Sequence, residues 1–337
     1  MCFRTLLSWI ILTIACTRAV AQPYTNLVLE GGGIRGIAYA GALQVLEERN
    51  LADSLRNVAG TSVGAIVGCL ISMGYRADEL RDVLDGLKIQ AFNDGHLIFF
   101  EGIHRMKRQF GWYRGDALEQ WIGDLIAAKS GRADLTFAQL HQLSATNPQF
   151  KNLYITATNL TAQKLTVFSW HSFPEMQVKT AVRASISIPF YFRAVFLDSA
   201  GRRLNSQDAR PDAGVYVDGG VLANYPLALF DTMPGKGNTL GLKLERPAQL
   251  GNMNGDGLAP YSIREFRDYV GAFYNIVIER LNKVTDRKSE AQRTIYISSG
   301  NISPKIRKLS KAQKDELFRL GREGAVEFLR RGQAIDD

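Results

Sequence analysis

Hydrophobic residues recur along this chain in two rhythms, short unbroken runs and runs spaced by three or four, and the rhythms alternate over most of its length. Leu27-Val28-Leu29, Leu153 to Thr158, Leu240 to Leu244 and Thr294 to Ile297 have the length and branched content of buried strands. Lys164 to Phe168 is strand-like after a turn at Thr161 to Gln163, and Val195 to Leu197 with Val215 to Val217 make a strand pair around a polar loop, Asp198 to Ala213. Helical spacing marks Ala40, Leu43 and Leu46, then Val63 to Met73 with a stop at Gly74, residues 78 to 88, Leu118 to Ala128 and Gln177 to Ala184. A stripe of Ile263, Phe266, Val270, Phe273, Val277, Leu281 and Val284 predicts a helix packed on the domain, with a membrane-surface helix as the alternative. Ser310 with Gln313 predicts a capping box for a last helix to about Arg331. Residues 89 to 111 are apolar without a clean period, which is expected of buried irregular packing or of a lid over an apolar groove. Strands alternating with helices imply an α/β fold around a mainly parallel sheet.

The first 21 residues stand apart. Arg4, the apolar run Leu6 to Ala15 and Ala19-Val20-Ala21 form the three parts of an export signal, with cleavage expected after Ala21. A lipoprotein anchored through Cys16 is the alternative, although Thr13-Ile14-Ala15-Cys16 lacks the leucine that usually opens such a box. The run is shorter than the ~20 residues a membrane span needs. Removing residues 1 to 21 takes away Arg4, Arg18 and no acid, so the formal charge falls from +8 to +6. A basic exported protein suits anionic lipid surfaces, and an evenly solvated surface has the same balance. Only Cys69 remains after cleavage, so stability must come from the core of a chain that is 46% apolar and 22% charged.

Candidate chemistry gathers between residues 27 and 65. Gly31-Gly32-Gly33-Ile34-Arg35-Gly36 follows a strand and opens a helix, where bare N–H groups favour negative charge. The spacing Gly31, Gly33, Gly36 also matches a dinucleotide fingerprint, but the next strand ends in Gly60-Thr61-Ser62 instead of the acidic residue that would hold a ribose. No Gly-Lys-Ser/Thr follows, which excludes a Walker loop. Gly60-Thr61-Ser62-Val63-Gly64 is G-x-S-x-G, the pattern of a serine nucleophile on a sharp strand-to-helix turn. Such a serine needs a base. His96, His104, His141 and His171 all precede the best acid, Asp218, against the serine, acid, histidine order of the α/β-hydrolases. Asp218 itself follows a strand, with Gly219 and Gly220 leaving room for close approach, and burial would raise its pKa toward that of a useful base. A plain Asp-Gly turn is the alternative reading of the same residues.

Taken in order, Gly31 to Gly36, Gly60 to Gly64, Arg183-Ala184-Ser185-Ile186-Ser187-Ile188-Pro189, and Asp218-Gly219-Gly220 with Asn224-Tyr225-Pro226 resemble the patatin-like phospholipases over about residues 25 to 230. The resemblance implies a three-layer α/β sandwich with C-terminal helices. Residues 25 to 230 would form the patatin-like domain, and residues 231 to 337 a strand and helical extension packed on it. It implies a serine esterase acting on phospholipids or other acyl lipids through a Ser-Asp dyad and an acyl-enzyme, with Ser62 as nucleophile and Asp218 as general base. By the same resemblance Gly31, Gly32 and Gly33, chiefly the last two, form the oxyanion hole. Arg35 steadies that turn or meets a lipid phosphate, and Gly60, Gly64, Gly219 and Gly220 support the site. Glu30 departs from the aspartate of plant members and is expected to lie outside the chemistry. No cofactor or metal is expected, nor a nucleic-acid partner; the expected partners are a lipid substrate and a membrane surface or micelle. The competing functions are a Ser-His-Asp esterase, a non-catalytic lipid-binding or effector protein, and acyl transfer to an alcohol.

Overall fold

Alternation along three short strands sets the layers of the fold. In the computed structural model, Tyr24–Leu29 (β1), Asn57–Gly60 (β2) and Asn152–Asn159 (β4) pair in parallel. Leu27, Leu29, Val58, Leu153 and Ile155 face the main core, whereas Val28, Ala59 and Tyr154 face a smaller cluster with Tyr225, Leu227 and Phe230. A strand apolar on both faces can only sit inside a sheet, which accounts for the unbroken runs in the sequence. The structure describes residues 24–87, 89–94, 99–205, 213–233, 237–251, 258–264, 269, 272–273, 276, 287–302 and 308–333. The expected signal at 1–21 and Cys16 lie outside these residues.

Among the described residues the sheet has nine strands. Asn238–Glu245 (β10) pairs in parallel with β1 and with Thr294–Ser298 (β11). On the other side Gly214–Asp218 (β9) runs antiparallel to β4, Val195–Leu197 (β7) antiparallel to β9, and Arg203–Leu204 (β8) antiparallel to β7. Lys164–Phe168 (β5) folds back on β4 as a hairpin. The sheet is therefore mixed, parallel from β11 to β4 and antiparallel beyond. The expected parallel sheet is the run from β11 to β4, and β5 is antiparallel because the short turn after β4 leaves no length for a crossover.

Helices Ile37–Glu48 (α1), Val63–Ser72 (α2) and Val178–Ser185 (α7) contribute their apolar residues to the main core. Lys311–Gln333 (α11) lies across α1 so closely that a methyl on Gly41 would meet the Phe318 carbonyl oxygen at 2.0 Å, and one on Gly321 that of Ala38 at 1.9 Å. Its start carries the expected capping box, with Gln313 N–H on Ser310 Oγ at 3.2 Å and Ser310 N–H on Gln313 Oε1 at 3.0 Å.

Two stretches differ from their sequence reading. Of residues 89 to 111, Ile89–Phe92 is a 3-10 turn and Phe99–Gln109 a helix (α4) leading into Gly111–Tyr113 (β3), while 95–98 lie outside the described residues. The helix has no clean apolar period because Arg105 is buried with its Nε on the Trp112 carbonyl at 2.8 Å, and Gly102 lies against the Trp112 ring. In the stripe from 263 to 284, Ile263 and Phe273 are more than half exposed, while Ala272 beside Phe273 is buried. The other five stripe residues lie outside the described residues. Periodicity shows that a face is apolar without showing what covers it.

Candidate active site

Ser62 sits where β2 turns into α2, with φ 53° and ψ −123°. Left-handed backbone is costly for a residue with a side chain, and it is held here because the turn is tightly packed. A methyl on Gly60 would lie 2.1 Å from the Gly64 carbonyl oxygen, and one on Gly64 would lie 2.4 Å from that of Leu29. Glycine at both places lets the backbones close and leaves the serine at the apex, partly accessible.

Register brings the acid to the serine. Gly60 pairs with Ile155 on β4, and Asp218 pairs with Ala157 two residues further on. Ser62, two residues beyond Gly60, thus lies level with Asp218 at the carboxyl edge of the parallel strands, the usual place for sites in such sheets. The Ser62 hydroxyl donates to the Asp218 carboxylate. Asp218 is 3% exposed, and its only other described donor to the carboxylate is the Gly220 N–H, at 2.8 Å. Burial pushes its pKa up to about 6 against the lowering pull of these two hydrogen bonds.

The glycine turn after β1 completes the arrangement. A methyl on Gly31 would come within 3.2 Å of Ser62 Cβ, so the turn lies directly against the serine. Gly31 N–H is already committed, donating to the Asn224 carbonyl at 2.9 Å. Among the described residues the N–H groups of Gly32 and Gly33 have no partner. Of the three glycines expected to form an oxyanion hole, Gly31 thus serves to anchor the turn and the other two can receive an anion. Arg35 is buried and its Nε donates to the Gly32 carbonyl at 2.9 Å.

Three further residues position this site and were given no role in the sequence analysis. Ser185, fully buried at the end of α7, accepts the Ser62 N–H on its Oγ at 2.9 Å and the Gly219 N–H on its carbonyl at 3.4 Å. It therefore holds the elbow and the loop after Asp218 together. Asn224 donates from Nδ2 to the Gly31 carbonyl and to Glu30, each at 3.2 Å. Glu30, buried, also accepts the Leu244 N–H at 2.9 Å. Glu30 thus ties the turn after β1 to β10. The signals were present as Ser185 in the Ser-x-Ser run and Asn224 in the Asn-Tyr-Pro run, but nothing local ties either to Ser62.

The histidines lie elsewhere. His141 bonds through Nδ1 to Asn152 Oδ1 at 2.8 Å and stacks on Trp170, and Asn152 pairs with Asn57 at the amino end of the strands, opposite Ser62. His171 packs on Trp170 and is exposed, and His104 is exposed on α4. His96 lies outside the described residues. Among the described residues no group of His, Cys, Asp and Glu is arranged to hold a metal ion, and no helix is long and apolar enough to cross a membrane.

Comparison with known proteins gives four findings. A family model described as patatin-like phospholipase matches residues 27–231. The uncharacterized protein YqhO of Bacillus subtilis is 30% identical over 325 residues, 91% of this chain and 98% of its own. A probable lipid hydrolase, 463L, of invertebrate iridescent virus 6 is 22% identical over 60% of this chain and 62% of its own. Among solved structures, VipD from Legionella pneumophila superposes with a TM-score of 0.59 at 17% identity, over 92% of this chain and 67% of VipD, a likeness of fold.

Proposed function

Because the chain belongs to the patatin-like phospholipase family, we propose that it hydrolyses carboxylic esters of acyl lipids with Ser62 as nucleophile and Asp218 as base. One observation carries the reading: the Ser62 hydroxyl rests on a buried carboxylate whose pKa is raised to about 6, against the glycine turn at Gly31. An ordinary aspartate is too weak a base for a serine hydroxyl, and desolvation narrows the gap. Ser62 Oγ attacks the ester carbonyl carbon while its proton passes to Asp218. The carbonyl oxygen becomes an oxyanion facing Gly32 and Gly33. The bond to the alcohol breaks, Asp218 returns the proton to the leaving oxygen, and an acyl-Ser62 remains. Water, deprotonated by Asp218 in turn, releases the fatty acid and frees Ser62. Export by residues 1 to 21 belongs to the same proposal.

A panel of phospholipids, lysophospholipids and acylglycerols, scored for released fatty acid, tests the activity, and a fluorophosphonate probe tests the nucleophile. Fatty acid release together with labelling at Ser62 is the expected result. A folded protein that neither releases fatty acid nor takes the label is a binding protein and not a hydrolase.

Positioning by Ser185 has its own expectation. Ser185→Ala leaves the buried Ser62 N–H without its acceptor, a loss of about 1–3 kcal/mol in stability. The accompanying drift of the nucleophile is expected to lower kcat by roughly 10- to 100-fold at unchanged KM. Ser185→Thr, which retains the hydroxyl, is expected to recover most of the lost kcat. A Thr variant as slow as the Ala variant would assign Ser185 to packing alone.

A further inference from the structure

Two aromatic side chains stand on the surface beside the site in a conformation that disfavours them. Phe110, between α4 and β3, is 48% exposed, and Phe190, which opens the strand Phe190–Phe192 (β6), is 73% exposed. Both have left-handed backbone, with φ 62° and 67°. For a bulky residue this is a strained conformation of the kind retained at functional sites. β3 and β6 form a parallel two-stranded ribbon in which Gly111 pairs with Phe190, so the two phenylalanines are neighbours at one end of it.

Backbone links tie that end to the strand that carries Asp218. The Phe110 ring lies 6.0 Å from that of Phe196, which packs with Val217 next to Asp218. Phe190 follows Ser187 by three residues, and the Ser187 carbonyl accepts the Asp218 N–H at 2.9 Å. Basic residues accompany Phe110 along the chain. Between Gly102 and Gly115 the chain carries Arg105, Lys107, Arg108 and Arg114 and no acidic residue. Lys107, Arg108 and Arg114 are exposed. Exposed rings next to exposed cations suit an interface where the rings enter the headgroup boundary and the cations meet anionic headgroups.

We propose that Phe110 and Phe190, with Lys107 and Arg108 just before Phe110 and Arg114 at the far end of β3, form the surface by which this chain docks on an anionic lipid bilayer. The lipid-hydrolase reading supplies the purpose of docking, since it would bring Ser62 to ester-bearing lipids. Docking itself does not depend on Ser62.

Co-sedimentation of the protein with phosphatidylcholine vesicles, with and without phosphatidylglycerol, tests the proposal. Wild type and Ser62→Ala are expected to bind vesicles containing phosphatidylglycerol and to leave pure phosphatidylcholine largely unbound. The pairs Phe110→Asn with Phe190→Asn, and Lys107→Glu with Arg108→Glu, are each expected to weaken that binding by about tenfold or more. Asparagine tolerates left-handed backbone, so the aromatic pair variant should melt no lower than wild type and turn over a soluble short-chain ester at the wild-type rate. Failure of wild type to bind, equal binding to neutral vesicles, or wild-type binding by either variant overturns the proposal; the first of these would point to an acidic protein surface as the occupant. Loss of soluble-ester turnover in the aromatic variant would make the pair structural and overturn it as well. Docking as expected by a wild type that hydrolyses no ester would refute the proposed function and leave the docking surface standing.

Discussion

Replacing Ser62 with alanine is expected to lower ester hydrolysis by at least about 10³-fold, whereas His104→Ala, His141→Ala and His171→Ala are each expected to stay within about twofold of wild type. The contrast follows from where the side chains lie. Ser62 donates to Asp218 and abuts the Gly31 turn, so removing its oxygen removes the attacking atom. His141 is tied to Asn152 at the opposite edge of the sheet, and His104 and His171 are exposed. The His141 variant is expected to lose stability through the missing Trp170 stack and Asn152 bond while retaining turnover per folded molecule. Initial rates on a soluble ester, normalised to folded protein, provide the measurement. A collapse of activity in any one histidine variant would mean that the base is not Asp218.

Asp218→Asn should move activity and stability in opposite directions. Asparagine retains an oxygen for the Gly220 N–H, which now meets Asp218 Oδ1 at 2.8 Å, but it cannot take the Ser62 proton. Hydrolysis is expected to fall by about 10²- to 10⁴-fold, the usual contribution of a positioned base. In the folded chain the Asp218 pKa is raised from 3.8 to about 6, so folding favours the protonated form. Its proton is bound equally in both states well below pH 3.8. Between that value and 6 the unfolded chain releases the proton first, and above 6 the folded state bears the full cost of the buried charge, about 3 kcal/mol at most. The Asn variant escapes that cost. Urea unfolding at pH 8 is therefore expected to show it more stable than wild type, with the difference shrinking toward pH 4. The wild-type kcat/KM should be half-maximal near pH 6 and fall about tenfold per unit below it. A variant less stable than wild type at pH 8, or a rate flat through pH 6, would contradict the burial of a charged base.

Much of this was legible locally, and the part that was not has a common cause. Leu27-Val28-Leu29 announced an interior strand, Ser310 and Gln313 announced the start of the last helix, and the glycine turn and G-x-S-x-G each implied a backbone shape. These features depend on residues a few positions apart, so neighbouring side chains and allowed dihedrals determine them. The order of four motifs then indicated the family over residues 27–231.

What required the tertiary structure is what joins distant segments. Asp218 is level with Ser62 only because β9 runs antiparallel to β4 in one register, and a shift by a single residue would turn its carboxylate to the other face. Gly31 commits its N–H to Asn224, almost two hundred positions later, a bond that no local window of the sequence shows. Ser185 becomes a clamp only when α7 ends beneath the elbow. Phe110 and Phe190 look like ordinary core aromatics until the ribbon turns them outward. The sequence by itself determined the strands, the turns and the residue types available for acyl transfer, because those rest on local propensity and periodicity. The tertiary structure alone decided which groups meet, which donors stay open and how far Asp218 is desolvated, because those depend on register, packing and burial, which no local window contains.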